Sequence, residues 1–519
     1  QVQAFTTTQA NALTTSQIAS LSTTAVNNFS STQVAAFAAT QAAALTSTQL
    51  NALTTGNLDA VDVTKLTTTQ VGGLNTTAIG ALTDTQVGAL AATQVARLNS
   101  SQFGALSSTE IQAFTTTQAN ALTTGQLASL STTAVNNFSS TQVAAFAATQ
   151  AAALTSTQLN ALTADNLNAV DVTKLTTTQV GGLNTTAIGT LTDTQVGALA
   201  ATQVARLNAA QIGAISSTDI QAFTTTQANA LTATQLGSLT STALGNFTTT
   251  QLTAFSATQT AGLTTTQLNA LTSDNLDALD IGELTTSQIA GLTTTAVSAL
   301  SDTQIGGLAA TQVARLSAAQ LGAISSTDIQ AFTTTQANAL TSAQLGGLTT
   351  TALGNFTTTQ VGAFNSTQAR GLTSTQLNAL ATDALNALTL DNLTSTQFGG
   401  LNTTQLDALT DTQVAGLHVS QLRALTGTQM SAFSTTEIGA FDATQAGSLT
   451  ATQIGAMTTT AFSALSETTG IGALTTQAVA GITTTQISHL TTTQANAFQT
   501  TQVQSMSIAQ IDALVSLFV

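Results

Sequence analysis

The chain has 519 residues, 22 acidic against 7 basic for a net charge of -15, and no Cys, Pro, Trp or Tyr. Without cysteine there is no disulfide framework, thiol chemistry or cysteine zinc site. Isolated bases such as Arg97, Arg206 and Arg315 do not form the Lys and Arg cluster that phosphate neutralisation needs, so nucleic acid is not an expected partner.

Residues 1–4 read as the end of a repeat, because Gln1-Val2-Gln3-Ala4-Phe5 aligns with Glu110-Ile111-Gln112-Ala113-Phe114. The opening at Gln1 is the start expected of a processed or excerpted product. From Phe5 onward an octad runs along the chain, roughly Thr-Thr-Thr-Gln, an aliphatic residue, a variable residue, Ala or Gly, then Leu or Phe. Phe5, Leu13, Leu21, Phe29, Phe37, Leu45, Leu53 and Val61 each close one octad, the mark of a repeat scaffold.

In Thr6-Thr7-Thr8-Gln9-Ala10-Asn11-Ala12-Leu13 the hydroxyl residue followed three places later by Gln is a capping-box signature. Apolar positions five and eight lie three apart and share a helical face. A single long helix is excluded, since at about 100° per residue an octad turns the apolar stripe by roughly 80°. The sequence therefore predicts an all-α solenoid of very short, self-capped helices, one per octad, held by packing because such pieces melt alone. A β-solenoid is the alternative, because Thr favours strands and eight is an even period. Positions five and eight would then point to opposite faces. The small residue at position seven lets neighbouring backbones approach, and all 19 Phe are expected in the core.

A longer period overlies the octad. Phe5, Phe114, Phe223, Phe332 and Phe441 recur at one constant spacing, thirteen octads plus a short step of five. The five-residue steps fall at Val61 to Leu66, Val170 to Leu175, Leu279 to Leu284 and Leu388 to Leu393, and read as a corner or register correction. The expected super-repeats are 5–113, 114–222, 223–331 and 332–440. A divergent partial copy, 441–519, has a nine-residue step from Leu465 to Leu474 and an apolar tail.

Candidate chemistry is sparse. Calcium is the one cofactor considered, at Asp59 and Asp62 and at Asp274, Asp277 and Asp280 beside the five-residue steps. Asx-capped turns explain the same residues. Lys65 and Lys174 are expected to balance local charge. Asp84, Asp193, Asp302 and Asp411 occupy position two of an octad, and Glu110, Asp219, Asp328 and Glu437 take the Gln position. Both places suit a carboxylate near the positive end of a helix. Cation sites would require these acids to converge. His418 and His489 lack a Cys or a second His nearby, so neither metal nor nucleophile chemistry is expected, and no acid, base and nucleophile converge on an enzyme site.

Units such as Leu13-Thr14-Thr15-Ser16-Gln17-Ile18-Ala19-Ser20-Leu21 resemble the octad tracts of very large, repetitive bacterial surface and adhesin-like proteins. The resemblance covers nearly the whole chain and implies a secreted, surface-associated structural role with no catalytic residues to carry over. The paucity of Lys and Arg and the uncharged surface also suit an extracellular setting. No run approaches the roughly eighteen apolar residues of a membrane span. The apolar tail with Leu514, Val515, Leu517, Phe518 and Val519 points to assembly with copies of the chain, head to tail, into a filament, sheath or surface layer. An adhesin stalk or ligand-binding solenoid, with a surface or glycan ligand, is the alternative.

Overall fold

The computed structural model describes residues 2–519. Gln1, on which the processed or excerpted start was read, lies outside them. Each octad is one short helix, as in Thr7–Asn11, Thr15–Ser20 and Ser31–Ala35, and among the described residues there is no β-strand. The β-solenoid alternative is overturned, because capping residues, most of them in capping boxes, restart a helix octad after octad.

Local geometry follows the octad closely. Thr14 is extended at φ -71° and ψ 158°, and its hydroxyl accepts from the Gln17 N–H while the Gln17 side chain accepts from the Thr14 N–H. At the far end Leu21 is extended again, at φ -62° and ψ 141°. Two consecutive extended residues, the closing Leu and the next capping residue, therefore turn the chain without Gly or Pro. No described glycine has a positive φ. Glycine serves close approach instead: a Cβ on Gly481 would run into the Ala451 carbonyl.

The chain divides into two units, Gln1–Leu263 and Thr264–Val519. In the first, Thr7–Asn11 packs on Ser31–Ala35, Thr15–Ser20 on Ala39–Ala42, and Ser140–Ala144 on Ala164–Ala169. Each side thus rests on the third side after it, and three octads make one coil. Positions five and eight fill its interior, for example Ile18, Val34, Leu45 and Leu50. Successive closing phenylalanines meet edge to face: Phe29 and Phe37 have ring centroids 5.4 Å apart, and Phe138 and Phe146 5.7 Å. Phe5 and Phe518 depart from the expected core placement and are exposed.

The five-residue step is a side and not a corner. Val63–Lys65 and Val172–Lys174 form 3-10 turns, and each packs where a helix would, Val63–Lys65 on Ala39–Ala42. A 3-10 turn closes with three residues per turn, so five residues span the corner-to-corner distance that eight otherwise fill. Between Phe5 and Phe114 there are thus fourteen sides, thirteen helical and one 3-10. Fourteen is not a multiple of three, so residues that correspond between the Phe5 and Phe114 copies lie on different sides of the coil.

The second unit repeats the pattern, with Ser342–Gly347 on Ser366–Gly371 and Thr484–Ser488 on Ile508–Val515. Its 3-10 sides are Ile281–Glu283 and Leu390–Asn392. The nine-residue step turns through Gly470 into the 3-10 segment Ile471–Ala473.

Candidate functional site

The most organised polar feature is a ladder of buried glutamines at the corners. Gln150 shows the unit. Its Oε1 accepts from Ala147 N–H at 3.0 Å, and its Nε2 donates to the Ala119 carbonyl at 3.0 Å and the Leu122 carbonyl at 2.9 Å. The first bond caps its own helix; the other two tie it to the coil before. Gln142, Gln158 and Gln203 in the first unit, and Gln320, Gln368 and Gln453 in the second, reach back 28 and 31 residues in the same way. The shorter reach is one coil plus the step from a closing Leu to the next Gln. Buried amides and carbonyls are costly when unpaired, so the ladder resolves the corner's polar groups and locks the register of the coils together.

Register irregularities are absorbed at the same joints. Past the 3-10 side, Gln70 spans 28 and 25 residues to Ala42 and Leu45. Past the nine-residue step, Gln486 spans 32 and 29 to Ile454 and Met457. Lys65 serves as more than local charge balance. Its Nζ lies 3.3 Å from Asp62 and donates to the Phe37 carbonyl, 28 residues back, at 3.1 Å, which is the bond a ladder Gln would make. Lys174 does the same to Phe146 at 3.0 Å.

Where Gln is missing or does not cap its own helix, an Asn or Asp at position six of an earlier octad reaches forward. Asn51 Oδ1 accepts from Asn75 N–H at 2.7 Å while its Nδ2 donates to the Gly73 carbonyl at 3.0 Å, in the octad where Ala78 stands at the Gln position. Asn160 staples Asn184 and Gly182 alike. In the second unit Asn378 takes the Asn402 N–H, and Asp277 takes the Ser301 N–H. The Gln405 and Gln304 Oε1 atoms, which would otherwise accept those protons, are buried without a partner.

The sequence-derived calcium candidates are spread over turns. Asp62 Oδ1 accepts from the Thr64 N–H at 3.1 Å and its hydroxyl at 2.6 Å. The Thr64 hydroxyl holds the Asp62 carboxyl below the ordinary carboxylate range, aided by Lys65. Asp280 accepts from the Gly282 N–H at 2.9 Å, Asp59 closes the helix Thr55–Asp59, and Asp274 lies in the first turn of Ser273–Asp277. Among the described residues no three His, Cys, Asp or Glu side chains converge as metal ligands. His418 Nε2 lies 3.5 Å from Asp391 on the surface, and His489 Nδ1 lies 2.8 Å from the Thr485 carbonyl.

Four ladder positions carry an acid instead of Gln. Asp219 and Asp328 are buried, each 6% exposed, and accept from their capping serine hydroxyls, Ser216 at 2.6 Å and Ser325 at 2.5 Å. Burial pushes the Asp219 carboxyl above its usual range; the Ser216 hydroxyl opposes this and Asp193 adds to it. Asp328 is raised in the same way, with Asp302 as the neighbour. We expect Asp219→Gln to stabilise the fold at pH 7.5 by about 1–3 kcal/mol, because it removes a buried like-charge contact and restores a ladder donor. In the presence of chelator the parent chain should melt higher in acid. A carboxyl whose folded value is raised contributes stability that is complete below the ordinary value of 3.8 and is lost as pH rises through the elevated one. A melting temperature that is flat with pH and indifferent to Asp219→Gln would refute this.

The apolar tail is partly built in. Leu514 is buried on the inner face of the helix Ile508–Val515, Leu517 is half-buried, and Val515, Phe518 and Val519 are exposed together with Ile508. A groove of about 490 Å³ lies beside Arg423, Ser448, Thr450, Thr452, Thr475 and Gln477.

The chain is an all-α repeat solenoid, and among the described residues no helix is long and apolar enough to cross a membrane. The ALTTAQ repeat family matches residues 95–132. The comparison with curated proteins gives no match. Among solved structures, the leucine-rich repeat-containing protein LegL7 from Legionella pneumophila is 15% identical, covering 43% of this chain and 78% of that one at a TM-score of 0.11.

Proposed function

We propose that the chain is a structural repeat protein of the cell surface or exterior whose copies associate head to tail into a filament, sheath or layer. The observation that carries this reading is that the two faces of a coil are complementary: Gln Nε2 donors on one meet main-chain carbonyls on the other, as Gln150 does with Ala119 and Leu122. Gln9 and Gln17 are exposed and cap their own helices, and Ile508, Val515, Phe518 and Val519 add exposed apolar surface. A heterologous contact of this kind that does not close generates an open fibre.

Electron microscopy over a concentration series tests the reading. Fibres or sheets should form, and both deletion of residues 513–519 and the surface double variant Gln9→Ala, Gln17→Ala should weaken them. Dispersed particles at every concentration, or assembly that ignores both changes, would refute head-to-tail docking. The groove beside Arg423 favours the second reading, a stalk that holds a surface or glycan ligand.

A further inference from the structure

Four corners have the wrong chemistry for the ladder. Everywhere that a ladder Gln reaches back, an N–H donor meets main-chain carbonyls. Glu110, Asp219, Asp328 and Glu437 occupy that slot with no N–H to offer. Glu110 has the shape of Gln, and one carboxylate oxygen takes the Ser107 N–H at 2.5 Å as a Gln Oε1 would. Glu437 does the same with Ser434 at 2.6 Å. The ladder register sets a main-chain carbonyl opposite the place where Nε2 would donate. That carbonyl belongs to Leu82, Leu191, Leu300 or Leu409 in the four copies, and among the described residues no Gln side chain serves it.

A second observation marks the slot as unfilled. Asp219 and Asp328 are more than nine-tenths buried, and the Oδ1 atom of each has no hydrogen-bond partner. A second acid stands at the mouth, two places after each of those leucines: Asp84, Asp193, Asp302 and Asp411, all exposed in the first turn of a helix. The helix Asp193–Ala198 packs on Ser217–Gln221, and Asp302–Gly307 packs on Ser326–Ala331, so each exposed acid comes against its buried mate. Within every pair the separation along the chain is one coil plus two positions.

We propose that the four pairs, Asp84 with Glu110, Asp193 with Asp219, Asp302 with Asp328, and Asp411 with Glu437, each bind a hard divalent cation of the calcium class. The two carboxylates and the facing leucine carbonyl supply oxygen donors only, and water completes the shell. Oxygen-only donors without nitrogen or sulfur select calcium or magnesium over transition metals. A half-exposed, incomplete shell suits the irregular, adaptable coordination of calcium better than the strict octahedron of magnesium. Two carboxylates with no third acid place the affinity in the weak class, with Kd on the order of 10⁻⁴–10⁻³ M. The exposed acid gives the ion its way in. The bound cation does electrostatically what the Gln Nε2 does elsewhere: it presents positive charge to oxygens of two successive coils.

The test is calorimetric titration of the full chain with calcium chloride at pH 7.5, paired with thermal melts in chelator and in about 5 mM calcium, several times the expected Kd. The proposal expects four equivalents per chain and a rise of a few degrees in melting temperature. Both should vanish in the quadruple variant Asp84→Asn, Asp193→Asn, Asp302→Asn, Asp411→Asn, whose circular dichroism should match the parent because only exposed side chains change. Absence of binding heat overturns it, as does calcium binding that survives in the variant, which would be diffuse attraction to a chain of net charge -15. Stabilisation by acid with no response to calcium also overturns it and assigns the slots to a shared proton.

Discussion

Replacing Gln150 by Leu should destabilise the first unit by about 3–5 kcal/mol, although Leu forms helix as readily as Gln and the position is buried. The reason lies in what Gln150 joins. Its helix begins at Ala147, which has no hydroxyl to share the cap, so the Ala147 N–H depends on Gln150 Oε1. The Ala119 and Leu122 carbonyls in the previous coil lose their side-chain donor at the same time. Leu fills the space and satisfies none of the three, and a buried unpaired group costs about 1–3 kcal/mol. Exposed Gln9 makes only local bonds, and Gln9→Leu should cost under about 0.5 kcal/mol. Amide exchange at Ala147, together with chemical denaturation of both variants, measures the difference. Equal, small effects would mean that coil register rests on the apolar core alone.

The second large effect belongs to Phe138→Ala, expected at about 3–5 kcal/mol. Phe138 is fully buried and meets Phe146 edge to face at 5.7 Å and 73°. Thin coils have few ways to collapse around a lost ring, because each side is anchored at both corners by the ladder. Coupling in a repeat array is between nearest neighbours, so the damage should appear as accelerated exchange in the coils on either side of Phe138 and fade beyond them. Phe518→Ala, at an exposed ring, should leave monomer stability within about 0.5 kcal/mol. A uniform loss of protection across the whole chain would show that the array unfolds as one cooperative body.

The sequence was legible where the signal is local. Thr14 and Gln17 lie three places apart, and that spacing alone specifies the capping box found at their helix. The outward half of the same Gln was hidden. A strictly periodic chain does not reveal how many octads close a coil, and Nε2 acts across that unknown distance. The same ignorance concealed the Asn51 staple, the reach of Lys65 to Phe37, and the meeting of Asp193 with Asp219, which becomes apparent only once three octads are known to close a coil. The five-residue step, read as a corner or register correction, does shift the ladder register but builds a side and not a corner, because a 3-10 turn spans a side with fewer residues than an α-helical reading allows. Of the tail residues, Val515, Phe518 and Val519 are exposed, Phe518 against the expectation of a core ring, while Leu514 is buried because its helix still follows the octad's apolar face.

Fourteen sides per super-repeat and three per coil mean that copying one super-repeat rotates the pattern without breaking it. All three sides share one build, so a duplicated or lost stretch leaves the neighbouring coils closed whenever it contains a whole number of sides, whether or not it contains a whole number of coils. For the gene, the tolerated step is the coding length of a single octad, and for a lineage, length becomes a trait that recombination can adjust without designing a new fold.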